Sequence, residues 1–255
     1  MDSGEMLTLG VLTPHAAPGP EVEIPDMAPG RVRVQVARIG NAPSRDSGNS
    51  GALRTQAGTG ALDEAAAALM PAVDALAFAS TGSGYALGHR QELALVERLH
   101  ERWDVPVYAT SLAAVSALRS RHVERISLVH PPWFEPSLNE LGAEYFRGQG
   151  FEVVDARLAD LPDDPGRIEP GMVVEWVTRH LCHRAEAVFI GGNGFRAARA
   201  IHDLERRTGR LVLEANQVLL WSALETAGAP IAVRGFGMVF DDRQPAGTRQ
   251  RRDRA

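Results

Sequence analysis

The sequence predicts an α/β protein made of two pseudo-symmetric halves, each with a parallel four-stranded sheet flanked by helices. First, short apolar runs alternate with helix-length segments along the 255-residue chain, a pattern typical of parallel sheets. Second, segments of similar sequence occur twice in the same order. Third, 44% of the residues are hydrophobic and 23% are charged, a globular composition that supports a core without disulfides.

The first half is predicted to begin with a buried strand that Pro14 stops. Its predicted strands are Leu7–Thr13, Arg31–Ile39, Asp74–Ala79 and Val105–Ala109. The predicted helices in this part of the chain are Ala61–Met70 and a segment from the turn Ser80–Gly84 to about Arg102, and a helix over Leu112–Arg121 follows the fourth strand. Gly40–Gly60 is rich in Gly, Ser and Asn, and we expect a mobile loop that closes over the site.

The second half repeats this alternation. Its predicted strands are Arg125–Val129, Glu152–Ala156, Glu186–Ile190 and Leu211–Glu214. Its predicted helices are Pro136–Gln149, Gly171–His183, a segment from the turn Gly191–Gly194 to about Thr208, and Gln217–Ala227. We expect Ile231–Phe240 to return to the first half as a last strand, and the Arg-rich tail Asp241–Ala255 to be disordered.

Three pairs of segments carry the internal repeat. The pairs are Leu9–Pro14 with Ile126–Pro131, Asp74–Gly82 with Glu186–Gly194, and Ala109–Leu118 with Ala215–Leu224, at offsets of 117, 112 and 106 residues. Any two open α/β units share a strand–turn–helix order, but three matches in register favour two copies of one Rossmann-like unit. We expect residues 1–110 with 228–255 to form the first half and 111–227 the second, with a site at their interface.

Two glycine-rich turns follow buried strands, at the sheet edge where open α/β sheets bind ligands. Glycines let backbone N–H groups point outward, and a helix N-terminus adds partial positive charge, so such turns suit a carboxylate or phosphate. The alternative is a pair of tight turns with hydroxyl N-caps. Neither has the lysine of a phosphate-binding loop or the glycine spacing of a dinucleotide site. The turns are Ser80-Thr81-Gly82-Ser83-Gly84 and Gly191-Gly192-Asn193-Gly194.

Composition excludes several classes of function. The net charge of −5 provides no basic field for nucleic acid. No apolar run approaches the ~18 residues of a membrane helix, and we expect no signal peptide. The single cysteine, Cys182, cannot form an intrachain disulfide, which fits the cytoplasm. The absence of lysine excludes Schiff-base chemistry on a lysine. His180 and His183 would share a helix face without Cys182, so no metal site is expected.

Short motifs occur in a fixed order between Leu7 and Phe240. They are Thr13-Pro14, Ser80-Thr81-Gly82-Ser83, Val129-His130-Pro131, Gly191-Gly192-Asn193-Gly194, Glu205…Gly209, Asn216…Trp221 and Gly235-Phe236-Gly237. In order and spacing they resemble the motifs of maleate isomerases and arylmalonate decarboxylases, members of the aspartate/glutamate racemase superfamily. The resemblance covers nearly the whole chain.

The resemblance implies a reaction without metal or organic cofactor. In the superfamily each half typically offers one cysteine from its strand–turn–helix loop, and arylmalonate decarboxylases keep only the second. This chain has Ser80 at the first position and Gly192 at the second, so both catalytic cysteines are missing. Cys182 lies ten residues before Gly192 and cannot substitute. Pro131-Pro132-Trp133 also stands where the family has a tyrosine.

Four residues remain as candidate catalytic groups. His15 and His130 follow the first strand of each half, and histidine exchanges protons near neutral pH. Ser80 occupies the first cysteine position, but its hydroxyl needs an activating base. Glu214 ends a strand and is a candidate base. The alternatives are structural or surface histidines, a hydrogen-bonding serine and a surface glutamate.

The candidate substrate-binding residues come from the two turns and from the segment after the last predicted strand of the second half. They would bind a carboxylate, or alternatively only cap the turns. Gly192 is expected to leave open space where the family has a thiol. The residues are Thr81, Gly82, Ser83, Gly192, Asn193, Gly194 and Asn216.

Two functional hypotheses follow. The first is a cofactor-independent isomerase or decarboxylase that acts on a small carboxylic acid between the halves, with acid/base groups other than cysteine. The alternative is a catalytically inactive relative that binds a carboxylate or a protein partner. No nucleic-acid or membrane partner is expected, and a homo-oligomer is compatible with either hypothesis.

Overall fold

The structure, a computed structural model, describes residues 6–40, 50–58, 60–228 and 231–243. It contains two wholly parallel four-stranded sheets, with strand orders β2-β1-β3-β4 and β6-β5-β7-β8. The same order in both sheets confirms the predicted fold class of two similar α/β halves. The strands are β1 (Leu7–Thr13), β2 (Val32–Arg38), β3 (Ala75–Phe78), β4 (Val107–Ala109), β5 (Arg125–His130), β6 (Glu152–Leu158), β7 (Ala187–Ile190) and β8 (Leu211–Glu214).

Helices cover the faces of both sheets. The helices that precede β5 in the chain are α1 (Pro20–Met27), α2 (Ser50–Gly58), α3 (Gly60–Leu69), α4 (Thr81–Leu87), α5 (His89–Trp103) and α6 (Thr110–Ser120). Those that follow β5 are α7 (Pro136–Arg147), α8 (Pro170–His180), α9 (Ile201–Thr208) and α10 (Ala215–Ala227). Short 3₁₀ helices are Pro165–Arg167, Ala198–Ala200 and Met238–Arg243. No helix in these ranges is both long and apolar enough to cross a membrane.

Local chemistry explains the helix boundaries near the interface. The Ser80 side chain caps α4 by accepting from the Ser83 backbone N–H. Glu214 and Gln217 form a reciprocal capping box at the start of α10. At the C-terminus of α9, Gly209 adopts the left-handed conformation at φ 65°, which ends the helix without a Cβ penalty.

The first sheet separates two hydrophobic cores. Because strand side chains alternate between faces, Leu9 and Val11 of β1 join a large core shared by both halves, whereas Leu12 joins a smaller core beneath α3 and α5. Ala77 and Phe78 of β3 divide in the same way. Burial on both faces explains the continuous apolar strand sequences.

The expectation that Ile231–Phe240 forms a last strand is wrong. In the described residues this segment is irregular and leads into the 3₁₀ helix Met238–Arg243. Gly235 and Gly237 have positive φ angles of 80° and 106°, which break an extended backbone. Side chains bind its backbone instead: Glu205 accepts from the Met238 N–H, and the Gln217 amide donates to the Phe236 carbonyl. Asp241 to Arg243 of the expected tail belong to this 3₁₀ helix, and the rest lies outside the described residues.

The expectation that Gly40–Gly60 is a loop is wrong for its second part, because Ser50–Gly58 forms α2. Residues 41–49 lie outside the described part of the chain. Leu53 is fully buried within α2, which gives this short polar segment an apolar anchor. The helix expected directly after Gly191–Gly194 also starts later: the backbone is irregular as far as the 3₁₀ helix Ala198–Ala200.

Candidate functional site

The two predicted turns meet at the interface and bind each other. The Thr81 backbone N–H and hydroxyl both donate to Asn193 Oδ1, at 2.9 and 3.0 Å. In return, the Gly192 N–H donates to the Thr81 hydroxyl at 3.0 Å. The backbone donors expected to face a ligand are therefore bonded across the interface in this conformation.

A second pair of residues completes a central polar cluster of Thr81, Thr110, Asn193 and Asn216. Asn193 Nδ2 donates to Asn216 Oδ1 at 2.9 Å and to the Thr110 hydroxyl at 3.1 Å. Thr110 and Asn216 occupy equivalent positions in the repeat, 106 residues apart. All four side chains are buried, and two pairs of equivalent residues meet in them, so the cluster lies at the contact between the halves.

Two glutamates adjoin this cluster. Asn216 Nδ2 donates to Glu23 Oε2 at 2.7 Å, and the Ala198 N–H donates to Glu23 Oε1 at 2.8 Å. Glu214 Oε2 accepts from the N–H groups of Asn216 and Gln217. Glu214 Oε1 is buried without a hydrogen-bond partner among the described residues. Glu23 comes from α1 of the first half, so the pair also spans the interface.

Burial raises the pKa of both glutamates. It raises the pKa of Glu23 to about 7, against hydrogen bonds from Asn216 and Ala198 that lower it. Burial and the neighbouring charge of Glu23 raise the pKa of Glu214 well above its usual range. Two buried carboxyl groups so close do not both ionise readily. Burial and mutual repulsion therefore favour the protonated form of at least one of the two carboxyl groups.

Ser80 and Ser83 are occupied with each other. The Ser80 hydroxyl donates to Ser83 Oγ at 2.7 Å and accepts from the Ser83 N–H at 3.3 Å. Ser80 is fully buried, and the hydrogen bonds found for its hydroxyl include no basic group. Its observed role is to cap α4.

His130 is the last residue of β5 and is also fully buried. Asn139 donates through Nδ2 to the Ala156 carbonyl, so its Oδ1 accepts from His130 Nδ1 at 2.7 Å. His130 Nε2 must then accept from the Tyr85 hydroxyl at 3.0 Å. Burial lowers the pKa of His130 to about 4, despite the Asn139 bond that raises it. Both ring nitrogens of this neutral histidine are engaged.

A third buried glutamate, Glu92, lies near Tyr85. Glu92 Oε2 accepts from the Tyr145 hydroxyl at 2.5 Å, so a carboxyl of the first half bonds a phenol of the second. Burial raises the pKa of Glu92 to about 7, against hydrogen bonds from Tyr145 and Ser111 that lower it. The sequence of α5 has the pattern of an ordinary amphipathic helix, so nothing near Glu92 in the sequence predicts that it is buried.

His15 lies just beyond β1 and is 8% exposed. Its backbone N–H donates to Thr13 Oγ1 at 3.3 Å, and its Nε2 is buried without a partner among the described residues. Burial, followed by the charge of Arg38, lowers the pKa of His15 to about 4, while Glu21 raises it. His15 is not bonded to the central polar cluster.

The expectation that Gly192 leaves open space is wrong. Gly192 has φ 94°, and a Cβ there would lie 2.8 Å from Cγ of Pro131. A Cβ on Gly191 would lie 2.8 Å from Cδ2 of His130. The neighbouring proline and histidine fill the space beside both glycines. By contrast, the nearest atom among the described residues to a Cβ on Gly194 would be Cζ2 of Trp133, at 4.0 Å.

Helix α2 covers the first turn. A Cβ on Gly82 would lie 2.8 Å from Cδ1 of Leu53, so α2 packs directly on the backbone of α4. Arg54 Nε donates to the Ala86 carbonyl at 2.8 Å and ties the two helices together. The turn is therefore covered in this conformation.

Cys182 lies between α8 and β7, just beyond the helix on which it was expected. It is half-buried, and its carbonyl accepts from the Ala185 N–H. No group of three or more His, Cys, Asp or Glu side chains suited to a metal ion occurs among the described residues.

The structure thus gathers Thr81, Asn193, Asn216, Gly192 and Glu214 around one point. It places His15 beyond the carboxyl end of β1, without a bond to this cluster. Ser80 and His130 form hydrogen bonds with other residues. Sequence reasoning missed Thr110, Glu23, Tyr85 and Glu92. Only Thr110 carried a signal, as the repeat counterpart of Asn216.

Comparisons with known proteins agree with this architecture. The model of the arylmalonate decarboxylase family matches residues 57–240. Maleate isomerase from Pseudomonas putida is 27% identical over 257 residues, which cover 92% of this chain and 98% of that protein.

Two solved structures share the fold. Unliganded arylmalonate decarboxylase has a TM-score of 0.78 at 18% identity, covering 93% of this chain and 100% of that chain. A maleate cis-trans isomerase mutant from Nocardia farcinica has a TM-score of 0.80 at 19% identity, covering 93% of this chain and 99% of that chain. The latter carries a covalently bound succinylcysteine intermediate.

Proposed function

Because this chain belongs to the arylmalonate decarboxylase family, we propose that it is a cofactor-independent isomerase or decarboxylase that acts on a small carboxylic acid. The observation that carries the proposal is the contact between the central polar cluster and the buried pair Glu23 and Glu214. This contact joins a group of anion-binding donors to a proton store at the junction of the halves.

The substrate carboxylate would replace the bonds that the turns now make to each other. The Thr81 N–H donates to an amide oxygen and the Gly192 N–H to a hydroxyl oxygen. A carboxylate offers equivalent acceptors with a full negative charge, and hydrogen bonds to charged acceptors are stronger. Donors of this kind also stabilise the anion that forms in the transition state. The binding set would be Thr81, Gly82, Ser83, Gly192, Asn193, Gly194 and Asn216.

The glutamate pair would supply the proton that thiols supply in cysteine-dependent relatives. Glu23, whose pKa burial raises to about 7, is suited to general acid/base exchange of protons. Glu214 would act at the substrate, with Glu23 as its proton-sharing partner. Ser80 and His130 would position α4 and the interface, since their polar atoms are engaged in structural bonds.

The residues favour proton transfer over covalent addition. The Nocardia enzyme carries a cysteine adduct, whereas this chain has no thiol at either turn. In a decarboxylation, the carbon–carboxylate bond would break and carbon dioxide would leave with the electron pair retained on the substrate carbon. The N–H donors would stabilise that enolate, and the glutamate pair would protonate it and recover its proton from water.

The test is proton NMR in D₂O with purified protein and a panel of malonates, maleate and amino acids. We expect loss of carbon dioxide or deuterium incorporation beside a carboxylate, and we expect Glu23→Gln and Glu214→Gln to lose at least ~100-fold of this activity. Glu205→Gln is the matched control, because Glu205 is also buried but bonds the Val212 and Met238 backbone instead. Full activity in a folded Glu214→Gln variant would contradict the proposal.

The inactive carboxylate-binding relative remains the second candidate. The observation that favours it is the mutual satisfaction of the two turns, whose N–H groups are already bonded. Under this alternative, calorimetry would detect binding of a carboxylate while NMR detects no turnover of the whole panel. Either function is proposed to operate in the cytoplasm, and assembly into a homo-oligomer is compatible with both.

A further inference from the structure

Two buried nitrogen atoms without partners lie at the edge of the first sheet, outside the central polar cluster. They are Nε2 of His15 and Nη1 of Arg38, and neither has a hydrogen-bond partner among the described residues. An unpaired buried polar group costs about 1–3 kcal/mol, so each of these atoms requires an explanation.

The topology brings the two side chains together. Thr13 pairs with Arg38 in the register of β1 and β2, and His15 follows Thr13 by two residues. The Ile39 N–H donates to the Thr13 carbonyl at 2.9 Å, which continues the alignment beyond the strand ends. The charge of Arg38 also lowers the pKa of His15, as expected for close groups.

The existing charges leave room for one more anion. Arg38 Nη2 is bonded to Glu21, whose other oxygen accepts from the Gly19 N–H at 2.9 Å. Arg38 and Glu21 balance each other, and His15 is neutral. An anion that brought a proton onto His15 would add no net charge, because the imidazolium would compensate it.

The position connects this edge to the proposed active site. Strand β1 lies between β2 and β3, and Ala79, next to Ser80, donates its N–H to the Leu12 carbonyl at 2.8 Å. Since neighbouring strands are about 4.8 Å apart, His15 lies about one strand from the Thr81 turn and Arg38 about two.

We infer that His15 and Arg38 form a carboxylate-binding subsite that takes up a proton when it is filled. The carboxylate would accept from Nη1 of Arg38 and from the protonated Nε2 of His15. The Arg38 side chain is 33% exposed, so the subsite has a route to solvent. This inference rests on the proposed function for the substrate class, but binding and proton uptake do not require catalysis.

The experiment follows the imidazole signal of His15 by ¹H–¹³C NMR across the acidic pH range, with and without maleate as the probe. The signal is assigned by its loss in His15→Gln. Without the probe, His15 should titrate with a pKa of about 4. Saturating maleate should increase the proton affinity of His15 at least tenfold, because an adjacent anion favours the charged form. By linkage, maleate should bind more tightly as the pH falls.

Arg38→Gln should abolish the effect of maleate on His15 and weaken maleate binding at least tenfold. Arg33→Gln is the matched control, since Arg33 is exposed on the same strand; circular dichroism checks that each variant folds. An unchanged His15 titration with maleate, or a shift that persists in Arg38→Gln, would overturn the inference. A shift produced by inorganic phosphate but not by maleate would overturn the carboxylate assignment. If Arg38→Gln does not fold, the His15→Gln variant tests the subsite instead, and an unchanged maleate affinity in that variant would overturn the inference.

The two proposals fail separately. A His15 shift without turnover would leave the subsite standing and count against catalysis. Turnover without a His15 shift would defeat only the subsite.

Discussion

Thr81 and Asn193 occupy equivalent positions in the two halves, 112 residues apart, and bond directly to each other across the pseudo-twofold axis. Asn193 Oδ1 receives both the N–H and the hydroxyl of Thr81. The Thr81 hydroxyl also accepts from the Gly192 N–H. One threonine side chain therefore connects both predicted turns.

Thr81→Val keeps the shape of this side chain and removes its hydroxyl. We expect the free energy of unfolding to fall by about 1–3 kcal/mol, because the buried Gly192 N–H loses its acceptor. Urea denaturation measures the change. Thr55→Val is the control, since Thr55 is exposed and its hydroxyl donates to the Gly51 carbonyl within α2, so its loss should cost less than about 0.5 kcal/mol. Equal effects in both variants would contradict the bridging role of Thr81.

The sequence predicted this meeting of residues but not its form. The repeat offsets made Thr81 the counterpart of Asn193 and Thr110 the counterpart of Asn216, since two copies of one unit place equivalent strand ends at the same edge. Whether the donors face a ligand or each other depends on the distance between the halves, which sequence spacing does not encode. Glu23 was missed because α1 contains Pro25 and its helical pattern is weak.

Gly192→Ala should destabilise the protein strongly. The backbone at φ 94° disfavours any side chain, and the new Cβ would meet the Pro131 ring at 2.8 Å. We expect a loss of about 2–4 kcal/mol from the combined strain and overpacking. Gly194→Ala, in the same turn but with open space beside it, should lose less than about 1 kcal/mol. Thermal unfolding of both variants tests this, and a stable Gly192→Ala protein would contradict the packing of Pro131.

Leu53→Ala should loosen the cover over the first turn. Leu53 is fully buried against Gly82, and large-to-small core changes of this kind cost about 2–4 kcal/mol. We expect faster amide exchange in α2 and faster thermolysin cleavage within Gly40–Gly60. Leu93→Ala, at a 40% exposed position in α5, is the control. A carboxylate that binds should slow the cleavage of the unmodified protein, and cleavage that no bound ligand slows would argue against a covering role.

Cys182 should be dispensable. It lies beyond α8, away from both turns, and its structural contact uses the backbone carbonyl. We expect Cys182→Ala, and alkylation with iodoacetamide, to leave ligand binding and any activity unchanged. Calorimetry and the NMR assay provide the measurement. Loss of binding with an intact circular dichroism spectrum would restore a role for this thiol.

Glu92 should make stability depend on pH. Burial raises its pKa in the folded protein to about 7, from an ordinary value of 4.5. The folded state therefore binds the proton more tightly, so this group stabilises the protein fully below pH 4.5 and loses that contribution as the pH rises through 7. His15 and His130, whose pKa values fall to about 4, act in the opposite direction between about pH 4 and 6.5.

A Glu92→Gln variant isolates the contribution of the glutamate, because glutamine has the same shape and still accepts from Tyr145. Relative to the unmodified protein, it should gain on the order of 3 kcal/mol in unfolding free energy between pH 5 and pH 8, at about 1.4 kcal/mol per pKa unit. Urea denaturation at the two pH values gives this difference, and the same effect of the substitution at both would show that Glu92 does not titrate in the folded state.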